Sequence, residues 1–301
     1  MIEVRDQIEG KWEEMGITPH YADVVQTLTE EELIENLPEY DGWIIGDDPA
    51  TRDVLAAGRQ GKLKVAVKWG VGVDNVDFDA CRDLGIAVSN TPAMFGREVA
   101  DIALGYLIGL ARHTFRIDRE VRDGAWPKYR GVSLLDKVVG LVGFGDIGRQ
   151  LFKRLEVLGC SVTVYDPYIP DADDLQGNIV RREWPDGLGD CDFLVFTCAL
   201  TNENFHMFDE DAIASCKRGV RVVNVSRGGL VDQTALIDGL KSGQIHSVAL
   251  DVFEDEPPQN TELFTFENCV YGSHNASNTE EAVLRTSLLA IEKMTRDLRS
   301  K

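Results

Sequence analysis

Short runs of consecutive apolar residues alternate along this chain with longer stretches in which apolar positions return every three to four residues. The first kind reads as strand buried on both faces, the second as helix. Residues 5–15 are predicted to be a helix and Ala22–Leu28 a strand. Thr29 then opens TEEELIENL, with Glu32 three positions on in the spacing of a capping box. Strands are expected at Gly42–Ile45, Lys64–Lys68 and Ala87–Ser89, separated by helices at Thr51–Gly58 and Val76–Leu84. Glu98–Arg122 is read as one long helix with apolar residues on more than one face. A second alternation begins at Val138. Its strands fall near 138–142, 161–165, 193–197, 221–225, 247–251 and 269–271, its helices near 147–158, 209–215 and 232–241. Residues 280–299 form one amphipathic helix. Strand and helix alternating in this way predict an α/β chain of two doubly wound parallel-sheet domains. The first domain opens on a helix where such a domain usually opens on a strand.

The most informative stretch is VVGLVGFGDIGRQLFKRLEVLGCSVTVYD, Val138 to Asp166. A buried strand runs into Gly143, Gly145 and Gly148 in G-x-G-x-x-G spacing. A helix with Ile147, Leu151, Leu155 and Leu158 on one face follows, then a second strand ending at Asp166. Gly143 allows the tight turn, Gly145 lets backbone approach a pyrophosphate, and Gly148 lets the helix sit close to the strand. The helix N-terminus offers free N–H groups and partial positive charge to phosphates. Asp166 stands 18 residues after Gly148, near the separation expected of a carboxylate that binds ribose hydroxyls. A carboxylate there repels a 2′-phosphate, so NAD is expected rather than NADP.

Composition narrows the partners. With 31 basic and 51 acidic residues the net charge is −20, which speaks against nucleic acid and against anionic membrane surfaces. No apolar run reaches the length of a membrane span. The N-terminal MIEVRDQIEGKWEEMG is charged and lacks a signal-peptide core. The six cysteines (Cys81, Cys160, Cys191, Cys198, Cys216, Cys269) contain no C-x-x-C pair and sit mostly in apolar runs. They read as small buried residues in a reducing compartment, not as a metal site. A cytoplasmic location is expected.

Three later stretches put ionisable residues at strand ends, where an open α/β sheet places its ligand. In VVNVSRGGLVD it is Arg227, in SVALDVFEDEPP Asp251 and then Glu256, in VYGSHNASNTEEA His274. Taken singly, Glu256 would pass for part of a solvated acidic run and His274 for a loop residue satisfying a carbonyl. Together they suit one reaction. A guanidinium holds a carboxylate and polarises the neighbouring carbonyl. An imidazole exchanges a proton with the substrate oxygen. A carboxylate beside it fixes its tautomer. With a nicotinamide this is hydride transfer at C2 of a 2-oxo or 2-hydroxy acid.

From about Gly42 to His274 the chain resembles the D-isomer-specific 2-hydroxyacid dehydrogenase family, and within it the D-3-phosphoglycerate dehydrogenase branch. The resemblance rests on KWGVGVDNVDFDAC, NTPAMFGREVAD, GLVGFGDIGRQL, VTVYDPY, NVSRGGLVDQTAL, ALDVFEDEP and SHNASNT. It implies an Arg–Glu–His catalytic set at Arg227, Glu256 and His274. It implies that main-chain N–H groups of Val71, Gly72 and Val73 hold the substrate carboxylate. By the same likeness Phe144, Gly145, Asp146, Ile147, Asp166, Thr197, Cys198, Ser226 and Asp251 line the cofactor, with Gly143 and Gly148 shaping the turn. The implied architecture is a Rossmann NAD-binding domain, residues 91–272, inserted in a flavodoxin-like substrate domain, residues 1–90 and 273–301, with a cleft between them. The Glu98–Arg122 helix and the arm through residue 130 are expected to build a homodimer.

Two departures from the family pattern stand out. Ser273 takes the place of a common proline before the histidine, and Asn275 that of an apolar residue. Where phosphoglycerate dehydrogenases carry an Arg-Ser-x-Thr phosphate-binding turn, this chain reads Gly46-Asp47-Asp48-Pro49-Ala50-Thr51. Two carboxylates there would repel a phosphate, leaving Lys68 and Arg97 as the cationic contacts for a substrate anion. Ending at Lys301, the sequence is expected to lack a serine-sensing regulatory domain. The alternative function is a non-catalytic NAD(H)-responsive dimer of the corepressor type. A formate oxidiser is disfavoured, because that branch resembles a Gln at position 256.

Overall fold

The computed structural model describes residues 1, 4–24, 27–169, 178–259 and 261–300. The chain divides into two compact units, Met1–Phe95 with Asn278–Lys301, and Gly96–Ser277.

In the first unit, α1 (Arg5–Met15) ends at Gly16, whose φ of 71° supplies the left-handed C-cap. Next come α2 (Glu30–Asn36), β1 (Gly42–Ile45), α3 (Arg52–Gln60), β2 (Val65–Lys68), α4 (Phe78–Asp83) and β3 (Ala87–Asn90), with α10 (Glu280–Arg299) returning from the chain's end. Thr29 and Glu32 form the expected reciprocal cap on α2. The three strands make a parallel sheet in the order β1-β2-β3. Central β2 is buried along its whole length, as its apolar run requires. Ile8 and Trp12 of α1 pack with Val283 and Ile291 of α10, while Leu33, Val54 and Leu55 of α2 and α3 help to build a second core cluster. The strand expected at Ala22–Leu28 is corrected. Residues 22–24 and 27–28 are irregular, and the Leu28 N–H goes to the Asp48 carboxylate (2.9 Å) instead of a ladder. Val25 and Gln26 lie outside the described residues.

The second unit starts with α5 (Gly96–Arg112) and α6 (Thr114–Arg122). The sequence pattern suggested one helix here; two form because His113 takes φ 59°, and the Ala111 carbonyl accepts the Val132 N–H (2.9 Å). A ring packs across the break: a side chain at Gly109 would collide with Phe115. The unit continues with β4 (Val138–Val142), α7 (Asp146–Val157), β5 (Ser161–Tyr165), β6 (Ile179–Arg181), β7 (Phe193–Phe196), α8 (Glu210–Ser215), β8 (Val220–Asn224), α9 (Gln233–Ser242), β9 (Ile245–Leu250) and β10 (Val270–Tyr271). All seven strands run parallel in the order β10-β9-β8-β7-β4-β5-β6. Short edge strand β6 has no counterpart in the sequence reading. Among the described residues no helix is long and apolar enough to cross a membrane.

His246, at the start of β9, is half-buried with its ring 5.7 Å from that of His113. Burial first, then the charges of Arg221 and His113, push its pKa down to about 4. The unfolded imidazole titrates near 6.5. As pH falls from about 6.5 toward 4, the unfolded chain therefore takes up a proton that the folded one refuses, and stability drops. Above about 6.5 this contribution is absent. We expect His246→Gln to gain thermal midpoint relative to wild type as pH is lowered through that window, read by parallel melts at pH 7 and pH 4.5. A constant difference between the two proteins would refute the assignment.

Candidate active site

Because the sheet of the second unit is parallel, each strand delivers its C-terminal loop to one edge. The order reverses at β4, which lies between β5 and β7, and that switch point is where such sheets open a ligand crevice. The glycine turn leaves β4 there. Gly143 has φ 95°, and a Cβ on it would stand 2.5 Å from the Cys198 nitrogen. A Cβ on Gly148 would collide with the Gly143 carbonyl. The Thr197 hydroxyl donates to that same carbonyl at 2.8 Å, tying the loop after β7 to the glycine turn. At Gly145, by contrast, a Cβ would meet nothing within 4 Å. The space beside that backbone is open at the N-terminus of α7, as a pyrophosphate requires.

Asp166, after β5, takes the Phe144 N–H at 2.6 Å and the Tyr168 N–H at 2.8 Å. Each carboxylate oxygen keeps lone-pair capacity for a diol. Phe144 is buried, packs edge-on against Phe152 and gives its N–H to Asp166. The Asp146 carboxylate stands against Gly96, where a side chain would collide with it. Ile147 follows Asp146 in the first turn of α7. Burial pushes the Cys198 thiol up to about 12, so it is a neutral lining group and no nucleophile. Its carbonyl accepts the Ser226 hydroxyl. These residues fit a dinucleotide: open backbone at Gly145, a helix N-terminus, and an acid at the neighbouring strand end. Among the described residues no cluster of His, Cys, Asp and Glu could hold a metal.

The ionisable set lies at the ends of three adjacent strands. Arg227 follows β8, Glu256 follows β9 and His274 follows β10. Arg227 donates to the Ser226 carbonyl at 2.8 Å, and its own carbonyl accepts the Asn224 side chain at 2.9 Å. A side chain at Gly228 would collide with the Phe253 carbonyl, so the Arg227 turn touches the loop of Glu256 directly. Glu256 accepts the Phe253 N–H through Oε1 (2.9 Å) and lies 2.7 Å from His274 Nδ1 through Oε2. The carboxylate can only accept, so Nδ1 carries the proton, and in the neutral ring Nε2 is the acceptor nitrogen. His274 takes φ 54°, a left-handed conformation uncommon for a non-glycine residue. Asp251 is buried, and its carboxylate accepts N–H groups of Asn275 (3.3 Å) and Ala276 (2.9 Å) and the Tyr106 hydroxyl (3.3 Å). Asn224 and Tyr106 escaped the sequence reading. The signal for each was a polar group inside an apolar run.

Three predicted substrate contacts belong to the loop after β2 in the first unit. Val71 and Val73 are exposed there, and the loop is anchored by Gly70, whose N–H reaches the Thr91 hydroxyl at 2.7 Å. Lys68 is 3% exposed, and its ammonium donates to the Gly46 carbonyl and to Asp47 at 3.3 Å. Arg97, in the second unit, is exposed.

Comparison with known proteins gives a consistent picture. Residues 104–276 match the family model described as the D-isomer specific 2-hydroxyacid dehydrogenase, NAD binding domain. The chain is similar to a hydroxypyruvate reductase of Thermotoga maritima, 33% identical over 95% of this chain and 92% of the relative. It is 34% identical to a D-3-phosphoglycerate dehydrogenase of Methanocaldococcus jannaschii over 92% of this chain and 53% of the relative. The chain thus spans about half the length of the phosphoglycerate dehydrogenases it matches. Among solved structures, a glyoxylate reductase from Paecilomyes thermophila superposes with a TM-score of 0.85 at 26% identity, over 96% of this chain and 92% of that one.

The three glycines separate folding from binding. Gly148→Ala must displace the Gly143 carbonyl and should cost about 1–3 kcal/mol of stability. Gly145→Ala fills open space, so its melt should match wild type while NADH affinity falls about tenfold or more. Calorimetric titration with NADH checks the pair; undiminished NADH binding by Gly145→Ala would remove the pyrophosphate from this turn.

Proposed function

The chain belongs to the D-isomer-specific 2-hydroxyacid dehydrogenase family, and we propose that it is an NAD-dependent dehydrogenase interconverting a D-2-hydroxy acid and its 2-oxo acid. The observation that carries this reading is the 2.7 Å contact of His274 Nδ1 with Glu256, beside the turn that bears Arg227. With Nδ1–H committed to the carboxylate, Nε2 gives a proton to the substrate oxygen during reduction and takes it back during oxidation. Glu256 holds the tautomer and stabilises the imidazolium. The Arg227 guanidinium holds the substrate carboxylate as a fork and polarises the carbonyl next to it. The nicotinamide of a dinucleotide held at the glycine turn would supply or take the hydride. In the first unit, the main-chain N–H groups of Val71, Gly72 and Val73 belong to the same proposal as binders of a substrate carboxylate.

The first unit also argues for a substrate without a phosphate. The buried Lys68 ammonium is already matched by Asp47 and the Gly46 carbonyl, and Asp48 accepts the N–H groups of Leu28 and Gly46. The turn after β1 is therefore left with more negative than positive charge. One relative matched over nearly its whole length is named a hydroxypyruvate reductase.

A homodimer through residues 98–130 belongs to the same proposal. α6 buries none of its residues within the chain, and Phe115, Val121 and Trp126 stand exposed on it and on the arm that follows. Such a face calls for a partner, and a second copy across a two-fold axis is the commonest one. A cytoplasmic location is supported by six free cysteines, five of them buried.

His274→Gln should lower kcat by about 10²–10⁴ while NADH affinity stays near wild type. Retained turnover would refute the acid–base assignment. On a panel of 2-oxo acids, kcat/KM for hydroxypyruvate should exceed that for its 3-phosphate by about tenfold or more; the reverse order would refute the reading of the turn after β1. No turnover on the whole panel, with NADH still bound, would favour a binding protein instead. Light scattering should give twice the 33.4 kDa chain mass.

A further inference from the structure

The loop carrying His274 hangs from a residue whose last tie comes from a distant helix. Asp251 follows β9 and is 2% exposed. Its carbonyl accepts the His274 N–H at 2.7 Å. Its carboxylate accepts the next two N–H groups of the same loop, Asn275 at 3.3 Å through Oδ1 and Ala276 at 2.9 Å through Oδ2. The fourth tie is the Tyr106 hydroxyl of α5, 3.3 Å from Oδ1 and 145 residues away in sequence. The phenol is the donor, since a carboxylate accepts only. Burial first, and then the Asp251 charge, raise the phenol pKa, so the proton stays on Tyr106. The packing leaves no slack: a side chain at Gly272 would collide with both the Asp251 carboxylate and the Tyr106 hydroxyl. His274 itself sits at φ 54°, a conformation its own backbone does not favour.

We propose that Tyr106 is a positioning residue for the reaction: its hydroxyl fixes the carboxylate from which residues 274–276 are suspended, and so sets where the His274 ring meets Glu256. The inference rests on the assignment of His274 as the proton-exchanging group. Tyr106 touches neither substrate nor reacting atoms; it acts through Asp251. Without the hydroxyl, Oδ1 keeps only the longer of the two loop N–H contacts. The carboxylate is then held only by N–H groups of the loop it supports, so carboxylate and loop can shift together.

Tyr106→Phe keeps the ring and removes the hydroxyl. In the full-length protein, with NADH and the best 2-oxo acid of the panel, kcat should fall about tenfold, as a small misplacement of a reacting group does. KM for the oxo acid and the Kd of NADH should stay within about twofold, since uniform binding is untouched. Gly272→Ala, which keeps both polar groups and forces them apart, should reproduce the same split and decides the matter if Tyr106→Phe does not fold. A merely structural role would instead lower the thermal midpoint and NADH affinity with kcat per folded enzyme unchanged, and that result overturns the proposal. Wild-type kcat in either folded variant overturns it too. His274→Gln measured alongside separates the layers: an inactive His274→Gln beside a fully active Tyr106→Phe rejects the role of Tyr106 alone, whereas an active His274→Gln rejects the catalytic reading beneath it.

Discussion

A parallel sheet sends the carboxyl end of every strand to one edge, and the chemistry of the second unit depends on that constraint. Gly143, Asp166, Thr197, Arg227, Asp251 and His274 are scattered over more than a hundred residues, yet each follows within a few positions of the end of a different strand in one sheet. No local sequence feature brings them together. Strand order does, and its centre is made of five apolar runs, β4, β5, β7, β8 and β9, each buried along most of its length. Position along the edge then divides the labour. The side of β4 and β5 holds the glycine turn and the acid suited to a ribose. The side of β8, β9 and β10 holds the guanidinium, the carboxylate and the imidazole.

Loops at such an edge have main-chain N–H groups to satisfy, and this protein meets much of that need with carboxylates. Asp166 takes two of them, Asp251 takes two, and Glu256 takes one with one oxygen while meeting His274 with the other. A carboxylate accepts several hydrogen bonds and donates none, so it suits loops rich in unsatisfied donors. The same use explains Asp48 in the first unit, which gathers the N–H groups of Leu28 and Gly46. A net charge of −20 is therefore more than a solvated surface: part of it is spent on shaping the loops that bear the chemistry.

The sequence disclosed whatever short-range pattern determines. The capping box at Thr29, the glycine turn at Gly143 and six of the seven strands of the second sheet were legible, because each depends on neighbours within one or two turns or on a continuous apolar run. The break at His113 was not, since nothing in the residue types of ARHTF signals a left-handed histidine; the carbonyl of Ala111 is claimed from Val132, outside any local window. Three-residue β6 lacked both length and alternation. Arg227, Glu256 and His274 were singled out by their places at strand ends and by resemblance to a family, while the sequence assigned Asp251 only a part in lining the cofactor. Its hold on the 274–276 loop appears once Tyr106 and that loop are seen around one carboxylate. Lys68 taught the converse lesson. Its charge suggested an anion contact, and the fold buries that charge and pairs it with Asp47 and the Gly46 carbonyl, which its sequence neighbours did not signal.

Why such a scaffold is needed follows from the His274–Glu256 pair itself. The side chains of His274 and Glu256 are 34% and 26% exposed. At that exposure water screens their attraction, and a pair of this kind is worth about 1 kcal/mol or less. That is comparable to the cost of holding a non-glycine residue in a left-handed conformation, on the order of 1 kcal/mol or more. The pair cannot keep itself in register. What keeps it there must be ties that water does not reach, and the buried carboxylate of Asp251 supplies them to the main chain of the histidine loop. Geometry is then set by the buried partner and reactivity by the exposed one, so the imidazole can stay open to substrate without becoming free to wander.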